Sequence, residues 1–194
     1  MYSVYKPSIV TISISCTKYS WYKAYRKLLI FNYFILVMKV VVFWHAGLLV
    51  NYRKYVEEIA KQKGVEATLI VTEYWPFEPN KVRLRDYLSG KFKKRRFEGE
   101  KTKELNIIQR KGFLPGKTVH FYPEIGKVLN EIKPDVIYIY TEPFVLTVAQ
   151  IIRWRNKCSK KTKIIVENCE NLEKNFNHFY ENWAYKYALK NADG

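Results

Sequence analysis

The sequence predicts an α/β fold: an open parallel sheet with helices on both faces, preceded by an N-terminal extension. Two observations carry that prediction. Val136 to Tyr140 reads Val-Ile-Tyr-Ile-Tyr, a short run of β-branched and aromatic side chains without charge. That composition suits a strand covered on both faces, as in a parallel sheet. From Met38 onward, runs of this kind alternate with segments of helical periodicity, and strand–helix–strand order implies parallel pairing through a right-handed crossover.

In order, Lys39 to Trp44 is a buried strand and His45-Ala46-Gly47 a tight turn. Leu48 to Lys63 is a helix with Leu48, Leu49, Tyr52, Tyr55, Val56, Ile59 and Ala60 on its apolar side, closed by Gly64. Ala67 to Thr72 is the second strand. Glu73 to Lys117 is irregular, with Leu105 to Gln109 as a short strand within it. Pro123 to Ile132 is a helix that turns Ile125, Val128, Leu129 and Ile132 inward. Pro134 and Asp135 punctuate the start of the Val136 strand, and Thr141, Glu142 and Pro143 end it. A helix follows from Phe144 to Trp154, with Pro143 near its first turn and Val145, Val148, Ile151 and Ile152 inward. Lys163 to Val166 is the next strand, and Phe176 to Leu189 an aromatic-rich helix. Asn191-Ala-Asp-Gly194 looks like the approach to a further strand, as in a fragment of a longer chain.

Residues 1–37 differ from the rest of the chain. Ser8 to Ser15 alternates like an edge strand, and Leu28 to Trp44 is a nearly continuous apolar run just short of a membrane span. Its second half must also serve as the first strand, which counts against spanning. Three readings stand: an extension of little structural weight with the domain starting at Met38, a peripheral membrane anchor, or an extra packed element.

Composition narrows the function classes. The hydrophobic content of 48% excludes general disorder, and 194 residues suffice for one sizeable core. Three cysteines without a CxxC pair, and three histidines without ligand spacing, argue against a disulfide framework or a zinc site. The net charge of +16 favours anionic partners, and Lys81 to Lys117 alone holds 13 basic and 4 acidic side chains. The Gly-rich dinucleotide fingerprint is missing, since Gly47 is the lone glycine after the first strand; this disfavours a nicotinamide site, and no cofactor is expected.

From Met38 on, the chain resembles the N-terminal domain of family 4 glycosyltransferases, which have two facing Rossmann-like halves. The likeness lies in Val40-Val-Val-Phe-Trp-His-Ala-Gly47 running into Tyr52 to Ala60. It continues in Pro134 to Phe144 with its Glu142-Pro143, in the polar Glu167-Asn168 and Asn171-Leu172, and in Ala184 to Gly194. The resemblance implies a Rossmann-like acceptor-side half, residues 38–194, whose donor-binding C-terminal half is absent here. It implies sugar transfer, of the retaining kind, from a nucleotide sugar bound through that other half to a glycan or lipid-linked acceptor. It also implies a cytoplasmic protein at the inner face of the cell membrane, inactive as this half alone. Two departures stand out. Thr141 occupies the place before Glu-Pro where many relatives carry histidine, and Gly47 is single where paired glycines are frequent.

Each site residue has a functional and a plain reading. Glu142, the catalytic candidate, hydrogen-bonds a sugar or accepts a proton, or else caps the following helix at its positive end. Gly47 lets the backbone approach a phosphate, or simply turns the chain. His45 and Thr141 contact substrate or are structural. Glu167, Asn168, Glu170 and Asn171 offer acceptors and amides suited to a sugar, or form a turn. Lys91, Lys93, Lys94, Arg95 and Arg96, with Phe92 and Phe97 among them, meet an anionic membrane or form a solvated loop. The alternative to a transferase is a non-catalytic basic α/β module for nucleic acid or anionic membrane. Nucleic acid is the weaker option, because the charge is gathered in one loop and no recognised module is present.

Overall fold

A computed structural model describes residues 37–97, 105–167, 176 and 178–194. The expectations for residues 1–36 and for Asn168, Glu170 and Asn171 lie outside the described residues. The fold is Rossmann-like. Five parallel strands form one sheet: β1 (Met38–Phe43), β2 (Val65–Thr72), β5 (Asn106–Arg110), β6 (Val136–Tyr140) and β7 (Lys163–Glu167), in the order β5-β2-β1-β6-β7. Two further strands, β3 (Tyr74–Pro76) and β4 (Lys94–Arg96), pair antiparallel as a separate hairpin. The helices are α1 (Val50–Ala60), α2 (Leu84–Ser89), α3 (Ile125–Ile132), α4 (Leu146–Cys158) and α5 (Phe179–Asn191). A single 3-10 turn, His45–Leu48, joins β1 to α1.

Strand periodicity divides the core. Val41, Phe43, Ile137 and Ile139 face α3, α4 and α5, where Leu129, Ile151, Ile152 and Ala188 meet them. Val40, Val42, Leu69 and Val71 face the opposite way, where Val56 of α1 packs. Helices therefore cover both faces, and each fully buried Ile or Leu contributes about 1.5–3 kcal/mol through lost apolar exposure. Beyond β7, the N–H of Asp193 donates to the carbonyl of Ile164 and the N–H of Val166 to that of Gly194, so the last residues lie along the sheet's outer edge. The Asp193 carboxylate also accepts from the N–H of Ile164 and pairs with Lys163 at 2.9 Å. Burial would raise this carboxyl, but those partners together with Arg155 hold it below its usual range.

Three expectations need correction. The first helix is shorter than 48–63 because Leu48 stays in the 3-10 turn and Leu49 is extended. Its buried side is also rotated: Tyr52 and Tyr55 are exposed, while Arg53 is 1% exposed. Arg53 can be buried because its guanidinium donates to the carbonyls of Gly47 and Leu48 at 2.8 Å each and lies 3.9 Å from the Phe97 ring centre. The helix after β6 begins at Leu146, three residues beyond Pro143, so the proline precedes its first turn. Within the irregular basic stretch, Lys94 to Arg96 is a strand held against Tyr74 to Pro76.

Candidate functional site

In a parallel sheet every strand ends at the same edge, and a crevice opens where successive connections leave in opposite directions. Here the chain builds outward from β1 to β2 and β5, then crosses back to β6 and β7. The switch point therefore lies between the carboxyl ends of β1 and β6. Phe43 pairs with Ile139 and Tyr140 with Glu167 in register, so His45, Thr141, Glu142 and Glu167 all fall at this edge. Trp44 and Tyr140 bridge the switch point with ring centres 4.7 Å apart.

His45 stacks on Trp75 of β3 at 4.1 Å and 15°. Trp75 also meets His120 edge-on at 5.7 Å, and His120 in turn meets Tyr122 at 4.8 Å. This row joins the turn after β1, the hairpin and the loop after β5. The loop carrying His120 is fastened to α4: Thr147 Oγ1 donates to the carbonyl of His120 at 2.8 Å, and the Gln150 amide bonds both backbone groups of Tyr122. An antiparallel bridge between Phe113 and Phe121 closes the loop. Gly112 is required there, since a Cβ at that position would lie 2.5 Å from His120 Nε2 and 3.1 Å from Thr72 Oγ1. Both of those atoms are buried without a hydrogen-bond partner among the described residues.

Burial lowers the His45 pKa to about 4. Burial and then the neighbouring His45 lower that of His120 to about 3. Both imidazoles are therefore uncharged at neutral pH, able to exchange hydrogen bonds with hydroxyls but not to attract phosphate as cations. Glu167 is buried and its carboxyl is raised by desolvation. Among the described residues no group of three or more His, Cys, Asp or Glu side chains is arranged to hold a metal.

Two site residues acquire a definite local setting. Gly47 is buried with its missing Cβ toward the core, where an added carbon would come 2.9 Å from Leu69 Cδ2 and 3.2 Å from Val71 Cγ1. Close packing of the turn on β2 thus accounts for glycine, and its N–H already donates to the carbonyl of Trp44 at 3.1 Å. Glu142 is not the N-cap of α4; that position is Val145, whose N–H donates to the carbonyl of Glu142 at 3.0 Å.

The basic cluster sits on the hairpin, which leaves β2 at the same edge. Arg95 and Phe77 form one wall of a groove of about 330 Å³, and Leu49, Val50, Asn51 and Tyr52 at the start of α1 form the other. No side chain caps that helix start, so its first-turn N–H groups lend the groove positive polarity beside Arg95. Lys91, Lys93, Lys94 and Arg96 belong to the rest of the hairpin rather than to the groove.

His120, Trp75 and Thr72 were missed in the sequence. The usable signal was topological. Once β2 is a parallel neighbour of β1, and β5 of β2, the residues after both must come to the edge occupied by His45.

No protein-family model matches the chain, and no curated protein sequence matches it. Among solved structures, it is similar to a Rossmann-fold NAD(P)-binding family protein from Shigella flexneri, at 14% identity and a TM-score of 0.41. That match takes in 79% of this chain and 60% of the other, so the chain spans less than two thirds of its neighbour's length.

Proposed function

We propose that the chain is the acceptor-binding half of a family 4 glycosyltransferase, which works with a C-terminal half that carries the nucleotide-sugar donor. The observation that carries this reading is the convergence of His45, Thr141, Glu142 and Glu167, remote in sequence, at the switch-point edge of one sheet. On this reading Glu142 hydrogen-bonds the reacting sugar or takes its proton, and Glu167 orients a hydroxyl. His45, held neutral by burial, exchanges hydrogen bonds with the acceptor. Thr141 supplies a hydroxyl where relatives carry an imidazole, so proton transfer falls to Glu142. The groove between Arg95 and the start of α1 takes an anionic group of a lipid-linked acceptor. Asn168 and Asn171, adjoining Glu167 in sequence, are assigned to the same acceptor. The protein acts on the cytoplasmic side, at the membrane surface where such acceptors lie.

The test is transfer from a panel of radiolabelled nucleotide sugars to a membrane extract, with the chain extended through its downstream coding sequence. Glu142→Ala should lower kcat by about 10²–10⁴ without moving the unfolding midpoint. Transfer undiminished by the substitution keeps the enzyme class and removes Glu142 from the chemistry. No transfer with any donor, from a folded two-half protein, sinks the reading.

A further inference from the structure

The lobe that projects from the carboxyl edge between β2 and β5 is built unlike the rest of the molecule. Helix α2 has no buried residue. Leu84 and Leu88, four apart and so on one helical face, are 57% and 78% exposed. This is not a loosely attached helix. Tyr87 donates its hydroxyl to the carbonyl of Pro115 at 2.6 Å and packs on Phe92 at 5.0 Å. Burial pushes that hydroxyl up to about 12, so it stays a donor. Leu84 and Leu88 remain exposed although the helix is fastened.

The leucines lie in a stretch of chain rich in positive charge. From Glu73 to Phe97 there are eight basic and three acidic side chains. Two of the acids are already engaged: Glu78 with Lys81 at 2.6 Å, and Asp86 with Arg85 at 3.6 Å. Lys91, Lys93 and Arg96 have no ion pair among the described residues. Residues 98–104, outside the described residues, add three acids and two bases.

We propose that this lobe docks the protein on an anionic lipid bilayer, with Leu84 and Leu88 entering the acyl boundary and the hairpin cations against the headgroups. Exposed aliphatic side chains within a basic stretch match a membrane interface, which rewards apolar insertion and charge attraction together. Two exposed leucines give the bases of a nucleic acid no aromatic face to stack on. A nucleic acid is gripped instead by free aromatic faces on which bases stack. Here those faces are taken: Lys94 Nζ lies 5.2 Å from the Tyr74 ring centre and 5.3 Å from that of Phe92, and Arg95 lies 4.8 Å from Phe77. The docking stands independently of the transferase reading.

The experiment is co-sedimentation of the full chain with vesicles of phosphatidylcholine, alone or mixed with phosphatidylglycerol. The parent protein should pellet with the mixed vesicles and stay in solution with the neutral ones. Leu84→Ser with Leu88→Ser should weaken binding about tenfold. Reversal of Lys91, Lys93 and Arg96 to Glu should weaken it about a hundredfold. Thermal unfolding of each variant checks that these exposed substitutions leave the fold intact. Equal binding by the leucine variant, equal binding to neutral vesicles, or no vesicle binding would each overturn the proposal. Retention on a mixed-sequence DNA duplex that depends on the cations but not the leucines, without vesicle binding, would give the lobe to nucleic acid instead.

Discussion

The row at the sheet edge and the lobe beside it use polar side chains in opposite ways. At the edge, Arg53, His45, His120 and Thr147 are buried or nearly so, and the backbone around them is held by short hydrogen bonds. In the lobe, cations rest on aromatic faces or stand in solvent, and leucines are exposed. The edge is stabilised by groups that cannot be changed without breaking packing. The lobe retains side chains that do little for the fold, which is where a surface for a partner is available. Substitutions should therefore report on stability at the edge and on binding in the lobe.

Acidification should separate the two regions most strongly. His45 and His120 titrate at about 4 and about 3 in the fold, against about 6.5 when unfolded. Below about pH 6.5 the unfolded chain binds protons that the native state refuses, so stability falls as pH falls, and this continues through the folded values. Each histidine costs about 1.4 kcal/mol per pH unit within its window. Glu167 acts in the opposite sense, because burial raises its carboxyl and the fold gains a proton there first. Denaturant midpoints measured between about pH 7 and about pH 4 should drop steeply. His120→Gln should flatten the slope by about one proton. An unchanged slope in that variant would mean His120 is open to water.

Replacement of Arg53 is the next largest effect. Arg53→Met keeps the stem but removes both donors to the turn and the contact with Phe97. The Gly47 and Leu48 carbonyls are then left in an apolar setting, at a cost of about 3 kcal/mol. Equilibrium unfolding in urea measures it, and a loss under about 0.5 kcal/mol would show that water replaces the guanidinium. Gly112→Ala should cost about 2 kcal/mol by overpacking, because the new methyl meets His120 Nε2 at 2.5 Å.

How much of this was legible depends on where each signal resides. The Val136 strand was readable residue by residue, because a buried parallel strand writes its burial as an unbroken apolar run. The α3 face was equally plain, with Ile125, Val128 and Leu129 buried as their spacing demands. The α1 face was misjudged because hydrophobic periodicity assigns arginine outward and tyrosine inward. Here carbonyl acceptors made burial of Arg53 possible, and Tyr52 and Tyr55 stay about half exposed beside the Trp44 ring. The hairpin was hidden because Lys94-Arg95-Arg96 has the composition of a solvated loop, and its pairing with Tyr74 to Pro76 is non-local. The positions of His45 and Glu142 at the sheet edge were readable from their places after strands. His120 was not, since its position depends on a loop clamped by Thr147 and Gln150 from another element.

The smallest expected effect sharpens the comparison from the other side. Leu84→Ser with Leu88→Ser removes two large apolar side chains from a helix, a change that in the core would cost several kcal/mol. In this lobe the leucines touch little, Tyr87 and Phe92 carry the fastening, and serine lowers helix propensity by only about half a kcal/mol. Urea unfolding should therefore show a loss of about 1 kcal/mol or less for the pair. A loss comparable to that of Arg53→Met would mean that the leucines are folded against the protein itself in solution. The contrast between a structural edge and a lobe kept for binding would then collapse, because α2 would be using its apolar face for stability like every other helix described in the chain.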